Sequence, residues 1–354
     1  MAKRITVVVS QGQSANPVKR RLEEELVAAL IGERNLELTV VPHLYDLNPE
    51  HTGLLCLQGI SGDMIVLSWL FSRAAHWTLD RNDIRGNIGT TLLDYESDED
   101  DEESPSKDQA VDGDKPRVHD SRPLPQRKIY CIDLRVKNEV QPYVDEIRRI
   151  VRETQVQTVS ILGLLNSSPN TVVAPRVELP VIASPASELM AESDAPAAVT
   201  RITEESPRRW YPVIDYSRCT NCMECIDFCL FGVYGVDRAD AILVEQPDNC
   251  RKGCPACSRV CPENAIIFPQ HKTPSIAGSP NEEAGGGLKI DLSKLFGAPD
   301  ALNQAVLERD VELVAVGRDA VGAAVGVPDR SPKKPKGPRD ELDDLIDSLD
   351  QMEL

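Results

Sequence analysis

The sequence contains no long apolar run. Its longest candidate, residues 64–70, has the length of a buried strand, whereas a membrane-spanning helix needs about 18 or more apolar residues. We therefore expect no membrane span. The apolar run within residues 1–9 is too short for a secretory signal and passes directly into polar sequence. These two absences predict a cytoplasmic protein.

Basic residues are also scarce relative to acidic ones. The chain of 354 residues has 57 acidic and 39 basic side chains, which give a formal net charge of −18. A field of this sign repels phosphate backbones, so nucleic acid is a poor candidate partner. The basic cluster at residues 333–339 lies in a Pro-rich stretch and is interpreted as a solvated tether.

Eight of the ten cysteines, by contrast, lie in two closely spaced runs. The first run contains Cys219, Cys222, Cys225 and Cys229 in C-x2-C-x2-C-x3-C spacing, and the second contains Cys250, Cys254, Cys257 and Cys261, followed by Pro262. Three thiolates on a tight loop can cap three irons of one cubane cluster, whereas the fourth iron faces away and needs a ligand from elsewhere. This stretch resembles the bacterial ferredoxin family that carries two [4Fe–4S] clusters.

The resemblance implies which cysteines would share a cluster. Cys219, Cys222, Cys225 and Cys261 would hold the first [4Fe–4S] cluster, and Cys229, Cys250, Cys254 and Cys257 would hold the second. It also implies two small β-pairs around the cysteines. The strand candidates for them are residues 211–214, 233–236, 241–244 and 265–268.

The cysteine runs depart from the family pattern at two points. Leu230 follows Cys229 where the family usually has proline, and three residues, 251–253, separate Cys250 from Cys254 where the family has two. We expect the extra residue to alter the potential or the lability of the second cluster. Structural zinc is the alternative, since paired C-x2-C units also suit tetrahedral Zn²⁺. Zinc sites, however, close with four ligands and have no use for two tandem quartets.

The first 155 residues have the pattern of an α/β domain. Strand candidates at residues 5–9, 36–41, 63–68 and 128–134 alternate with helix candidates at 18–32 and 140–153. This alternation predicts an open, mostly parallel sheet that is covered on both faces. The loop after the first strand contains Ser10, Gly12 and Ser14. It is a weak candidate for binding a phosphate, a flavin or a nucleotide, with an ordinary βα turn as the alternative.

Composition divides the chain into five segments. They are an α/β domain at 1–155 with a disordered acidic insertion at 94–125, a linker at 156–209, a small α+β ferredoxin-like domain at 210–270, a second linker with helix candidates at 271–338, and an acidic amphipathic helix at 339–354. The first linker would tether the ferredoxin-like domain. The last helix is expected either to pack on this protein or to dock in a groove of a redox partner.

Three functions are compatible with these patterns. The first is an electron-transfer protein that passes single electrons through two [4Fe–4S] clusters to or from a partner oxidoreductase, because eight cysteines leave no iron open for a substrate. The second is an oxidoreductase subunit whose N-terminal domain binds a flavin or nucleotide. The third is a scaffold or regulatory protein with structural clusters. The sequence favours an electron carrier over a stand-alone enzyme.

Overall fold

The computed structural model describes residues 4–33, 35–93, 116–155, 199–279 and 301–322. Within these ranges the N-terminal part is a six-stranded sheet, and a smaller unit with two two-stranded sheets packs against it. Every neighbouring pair in the six-stranded sheet is parallel. The predicted α/β domain with a mostly parallel sheet is therefore confirmed.

The large sheet has the strand order β4-β5-β3-β1-β2-β6. Its strands are β1 (Ile5–Ser10), β2 (Leu36–Val41), β3 (Met64–Ser68), β4 (Asn87–Ile88), β5 (Lys128–Asp133) and β6 (Val199–Arg201). The central strands β1 and β3 are buried along their whole length. They consist mostly of β-branched and aliphatic residues, as expected for strands that are covered on both faces.

Helices cover the two faces of this sheet. One face packs against α1 (Pro17–Leu30) and α5 (Gln141–Gln155), and the other against α2 (Thr52–Gly59) and α3 (Ser72–Arg81). α1 begins where the sequence predicts, because Asn16 accepts a hydrogen bond from the Val18 N–H at 2.9 Å and Pro17 occupies the first turn. The strand order reverses between β1 and β3, so the carboxyl ends of these strands border the crevice where ligands bind in open α/β sheets.

The strand β6 comes from residues that the sequence assigns to a linker. It extends the sheet beside β2, and Arg201 forms an ion pair with Glu24 of α1 at 2.7 Å. Three residues further on, the Glu204 carboxylate accepts the N–H groups of Thr52 and Gly53 at 2.8 and 3.2 Å and so caps α2. Residues 199–209 are therefore part of the N-terminal domain. The rest of the predicted linker lies outside the described residues.

The smaller unit surrounds the eight clustered cysteines. Its elements are β7 (Val213–Ile214), α6 (Glu224–Phe228), β8 (Tyr234–Val236), β9 (Ile242–Val244), α7 (Ala256–Val260), β10 (Ile266–Ile267) and α8 (Pro274–Ala277). β7 pairs with β10 and β8 pairs with β9, both antiparallel. The four strands lie within the four strand candidates of the sequence.

A further helix, α9 (Ala301–Ala315), covers one side of this unit. Its buried Ala305 and Val306 share an apolar cluster with Phe228 of α6 and with Ala256 and Val260 of α7. The Arg259–Glu308 ion pair, at 2.9 Å, connects α7 and α9 at the edge of this contact. The sequence pattern places a helix at about this position but does not indicate what it covers.

The smaller unit is docked on the N-terminal domain and is not a tethered body. Tyr211 stacks on Tyr45 with ring centroids 4.2 Å apart, and its N–H donates to the Tyr45 hydroxyl at 2.6 Å. Arg73 of α3 forms an ion pair with Asp215 and donates to the carbonyl of Asn264 at 2.6 Å. The tether suggested by the sequence is thus replaced by a packed interface. Linker composition carries no information about such surface complementarity.

The acidic insertion contributes to the same interface. The short helix α4 (Val118–Ser121) lies at its end, and the Val118 N–H donates to the carbonyl of Cys219 at 2.9 Å. Residues 94–115 of the insertion lie outside the described ranges, as does the helix predicted at 339–354. None of the described helices has the length and hydropathy that crossing a membrane requires.

The buried His76 of α3 makes stability depend on pH. Its side chain is 4% exposed and lies edge-on to Trp77, and burial lowers its pKa to about 4 from an ordinary value of 6.5. The unfolded chain therefore takes up a proton between about pH 6.5 and pH 4 that the folded chain excludes. We expect this contribution to stability to be complete above pH 6.5 and to be lost progressively down to about pH 4. The loss is on the order of 3 kcal/mol or less.

The variant His76→Phe tests this expectation. Its free energy of unfolding, measured by urea titration at several pH values without oxygen, should fall less between pH 6.5 and pH 4 than that of the unsubstituted protein. Parallel pH curves for the two proteins would contradict the assignment of this acid sensitivity to His76.

Candidate metal centre

Two neighbouring cavities each bring four cysteines together. We call the first the Cys219 cavity and the second the Cys250 cavity; both are partly open to solvent. The Cys219 cavity is lined by Cys219, Cys222, Cys225 and Cys261, and the Cys250 cavity by Cys229, Cys250, Cys254 and Cys257. These are the two quartets that the resemblance implies, with one cysteine of each run crossing to the other cavity.

Two short helices produce this crossing. α6 carries Cys225 and ends at Cys229, and α7 carries Cys257 and ends at Cys261. Each helix spans little more than one turn, so the cysteine at its end lies one turn away from the cysteine it carries. In consequence each helix supplies one thiol to each cavity.

The first cysteine run is held in a tight loop by its polar residues. Asn221 and Met223 both adopt positive φ, 58° and 62°, a conformation that asparagine tolerates better than most residues. The Asn221 side chain donates to the carbonyl of Asp240 at 2.7 Å and accepts the Ile242 N–H at 2.9 Å. These bonds fix the loop to the β8–β9 hairpin and turn its thiols toward one cavity.

The second run accommodates its extra residue in a turn. Cys254 donates its N–H to the carbonyl of Arg251 at 3.0 Å, and Gly253, the third residue of this turn, has φ of +93° with open space around it. A positive φ at this position is typical of a type II turn and favours glycine. The additional residue is thus absorbed locally, and Cys250 still lines the cavity with Cys254.

Hydrogen bonds converge on the sulfur atoms. The Tyr234 hydroxyl donates to Cys257 Sγ at 3.0 Å, and the N–H groups of Ala265 and Asn221 donate to Cys261 Sγ at 3.2 Å and to Cys219 Sγ at 3.5 Å. Such donors favour a sulfur that carries negative charge. They suit cysteines that act as thiolate ligands.

Burial acts on these thiols in the opposite direction. It raises the pKa of Cys219 to about 11 and that of Cys254 to about 11, and it also raises the pKa of Cys257 well above its usual value. Without a cation in the cavity the thiols therefore hold their protons near neutral pH. Binding of a metal group must release those protons and supplies the positive charge that stabilises the thiolates.

The donor set fits iron–sulfur clusters. Each cavity has four thiols and walls that are otherwise mostly apolar, and thiolates are the usual ligands of such clusters. In the described part of the chain, no three His, Cys, Asp or Glu side chains are arranged to hold a single metal ion. The four thiols of each quartet line one shared cavity.

The charged groups beside the two cavities differ. Glu263 lines the Cys219 cavity and is paired with Arg117 at 3.0 Å. Arg309 of α9 lines the Cys250 cavity, and its guanidinium lies 4.6 Å above the centre of the Phe228 ring. Neither arginine belongs to the cysteine-containing stretch, and nothing in its sequence surroundings indicates a contact with a cluster cavity. Sequence reasoning therefore missed both.

The loop at the carboxyl end of β1 is already occupied by the protein's own groups. The Gly12 N–H donates to the Glu23 carboxylate at 2.7 Å, and the same carboxylate oxygen accepts the Trp69 indole N–H at 2.8 Å. Ser10 is buried and its hydroxyl accepts the Leu44 N–H at 2.8 Å. An anion bound at Ser10, Gly12 and Ser14 would have to displace Glu23 from Gly12, and the anion site stays a prediction.

Comparison with known proteins gives one informative similarity. A stretch of 66 residues is 52% identical to a protein of Methanocaldococcus jannaschii that is named an uncharacterized ferredoxin. The match covers 18% of this chain and 44% of that protein, so this chain spans less than half of the relative's length. No family model matches, and no solved structure does. The similarity supports a ferredoxin-like, iron–sulfur domain in a chain that is mostly something else.

Proposed function

We propose that this chain is an electron-transfer protein that carries two [4Fe–4S] clusters and passes single electrons to or from a partner oxidoreductase. The observation that carries the proposal is the grouping of eight thiols into two neighbouring cavities of four. Each bound cluster would supply a one-electron couple within reach of the other. The similarity to a ferredoxin over 66 residues supports the same role.

The eight cysteines would bind the clusters and would also keep substrates from reaching the irons. Four thiolates per cluster occupy the outer position of every iron, so a substrate finds no open metal position. Burial keeps bulk water away from four of these cysteines, namely Cys219, Cys225, Cys257 and Cys261. The protein would therefore conduct electrons without performing chemistry at the clusters.

Cys222 offers the route for a redox partner. It is the exposed member of its quartet, whereas Cys219, Cys225 and Cys261 are buried. A partner that docks over Cys222 would approach the cluster of the Cys219 cavity most closely. Docking through the helix predicted at 339–354 concerns residues outside the described ranges.

Metal and sulfide analysis of anaerobically purified protein tests the proposal. We expect about eight irons and eight acid-labile sulfides per chain, a brown colour, and a reduced state that gives an electron paramagnetic resonance signal. Stoichiometric zinc without sulfide would refute the proposal in favour of structural metal sites. Bound flavin would favour the oxidoreductase subunit, and clusters that resist reduction would favour a scaffold.

A further inference from the structure

We infer that Arg309 raises the reduction potential of the cluster in the Cys250 cavity and thereby makes this cluster the resting place of the transferred electron. The inference rests on the proposed function, because it concerns the clusters that the cysteines would hold. It assigns a role in electron transfer to α9, a helix outside the cysteine-containing unit.

The position of Arg309 is the first support for this role. The residue is 1% exposed and lines the same cavity as Cys229, Cys250, Cys254 and Cys257. The guanidinium is a cationic group, so the cavity has a positive charge in its wall. Burial of an arginine is costly unless its guanidinium is paired and hydrogen-bonded.

Neighbouring groups hold the guanidinium in place. Its Nη2 donates to the carbonyl of Gly322 at 2.5 Å, and its Nε donates to the Asp310 carboxylate at 3.0 Å. Asp310 also accepts the Gly322 N–H at 2.7 Å, which closes a small ring of hydrogen bonds behind the arginine. Asp310 does not line the cavity. The lining of the cavity thus includes the positive group, whereas the Asp310 carboxylate that pairs with it is not part of that lining.

A fixed cation of this kind favours the reduced cluster. Reduction adds one negative charge to the cluster, and a nearby positive charge stabilises that state more than the oxidised one. Coverage by α9 acts in the opposite direction, because excluding water disfavours added charge. Substitution of Arg309 alone separates the two effects, since α9 remains in place.

The Cys219 cavity has the opposite arrangement. Its charged lining residue is the acidic Glu263, which Arg117 partly neutralises. Near the Cys250 cavity the acidic Glu308 of α9 is likewise paired, with Arg259 at 2.9 Å. The charged residues of the two linings are thus Arg309 in one and Glu263 in the other, and the acids Glu308 and Glu312 act on Cys254 from outside the lining. The difference between the two linings predicts a higher potential for the cluster in the Cys250 cavity.

The test compares Arg309→Gln with Arg259→Gln. Arg259 is the matched control, because it belongs to the same α7–α9 contact but does not line the cavity. Both variants are purified without oxygen, checked for full iron content, and titrated with a redox mediator set while the reduced signals are followed by electron paramagnetic resonance. We expect Arg309→Gln to lower one of the two midpoints, the higher one. The expected change is on the order of tenfold in the reduced-to-oxidised ratio at fixed potential, which corresponds to about 59 mV for one electron.

The remaining outcomes each decide the inference. Arg259→Gln leaves Glu308 of α9 without its partner, outside the cavity lining, and should therefore shift the midpoint less than Arg309→Gln does. Arg309→Lys should restore most of the loss because it keeps the charge. Unchanged midpoints in iron-replete Arg309→Gln, or an equal shift in Arg259→Gln, would overturn the inference and leave the proposed function intact. If Arg309→Gln loses iron, the midpoint of Arg309→Lys decides. This variant keeps the charge but disrupts the ring of hydrogen bonds with Asp310 and Gly322, so a lowered midpoint would show that the ring, and not the charge, sets the potential. Absence of sulfide from the unsubstituted protein would instead refute the proposed function.

Discussion

Replacement of Cys261 by serine is expected to remove or convert the cluster of the Cys219 cavity, although Cys261 lies in the second cysteine run. The structure places its thiol beside Cys219, Cys222 and Cys225, so the loss should fall on the cluster held mainly by the first run. The protein should retain about four of the eight irons proposed for it, since the quartet of the Cys250 cavity is untouched. Iron and sulfide analysis with low-temperature magnetic resonance measures this.

Cys56→Ser is the matched control for that experiment. Cys56 is half-buried and lines neither cavity, so its substitution should leave the iron content unchanged. If Cys261→Ser keeps the signal of the Cys219 quartet and loses that of the Cys250 quartet, the crossing of ligands between the runs is wrong.

Arg73→Met is expected to destabilise the whole chain by about 3 kcal/mol. Arg73 lies at the interface between the two units with 11% of its side chain exposed. It forms an ion pair with Asp215, which is almost inaccessible to solvent. Methionine keeps much of the side-chain volume but leaves the Asp215 carboxylate with its hydrogen bonds from Ser217 and only a distant arginine, Arg218, at 3.8 Å. A buried carboxylate that loses its close cation costs far more than an exposed one.

The control variant Arg201→Met shows how much stability is lost when an arginine of a surface ion pair is removed. The difference between the two variants is the part that depends on burial at the interface. Arg201 is paired with Glu24 on the surface, where such a pair contributes about 1 kcal/mol or less. Anaerobic guanidinium unfolding of both variants gives the two free energies. Equal losses would show that the docked arrangement contributes little to stability, and that the two units are less firmly joined than their contacts indicate.

Much of the sheet could be read from the sequence because its signals are local. β2 occupies the predicted residues, and β1, β3 and β5 differ from the prediction by one residue at an end. Apolar runs of five or six residues between polar loops leave few alternatives. β6 was not predicted, because a strand of three residues at a sheet edge is too short to show a pattern of alternating apolar and polar residues.

The cysteine quartets could also be predicted from the sequence, because the spacing of metal ligands is a local constraint. The loop lengths between cysteines restrict which thiols reach one cavity, and the resemblance supplied the crossing. The docking contacts of Tyr45 and Arg73 and the approach of Arg309 to a cavity could not be predicted. Each joins residues far apart in the chain, and a tyrosine or an arginine is as common on a free surface as in such contacts.

The position of β6 in the chain determines when the six-stranded sheet can be completed during synthesis. The ribosome delivers β1 to β5 first, yet β2 keeps one edge of unpaired N–H and C=O groups until Val199–Arg201 has emerged. Glu204, which caps α2, arrives immediately afterwards, and Cys219 follows shortly behind. In the order of the chain, the last strand of the described sheet therefore precedes Cys219, the first cysteine of the two cavities.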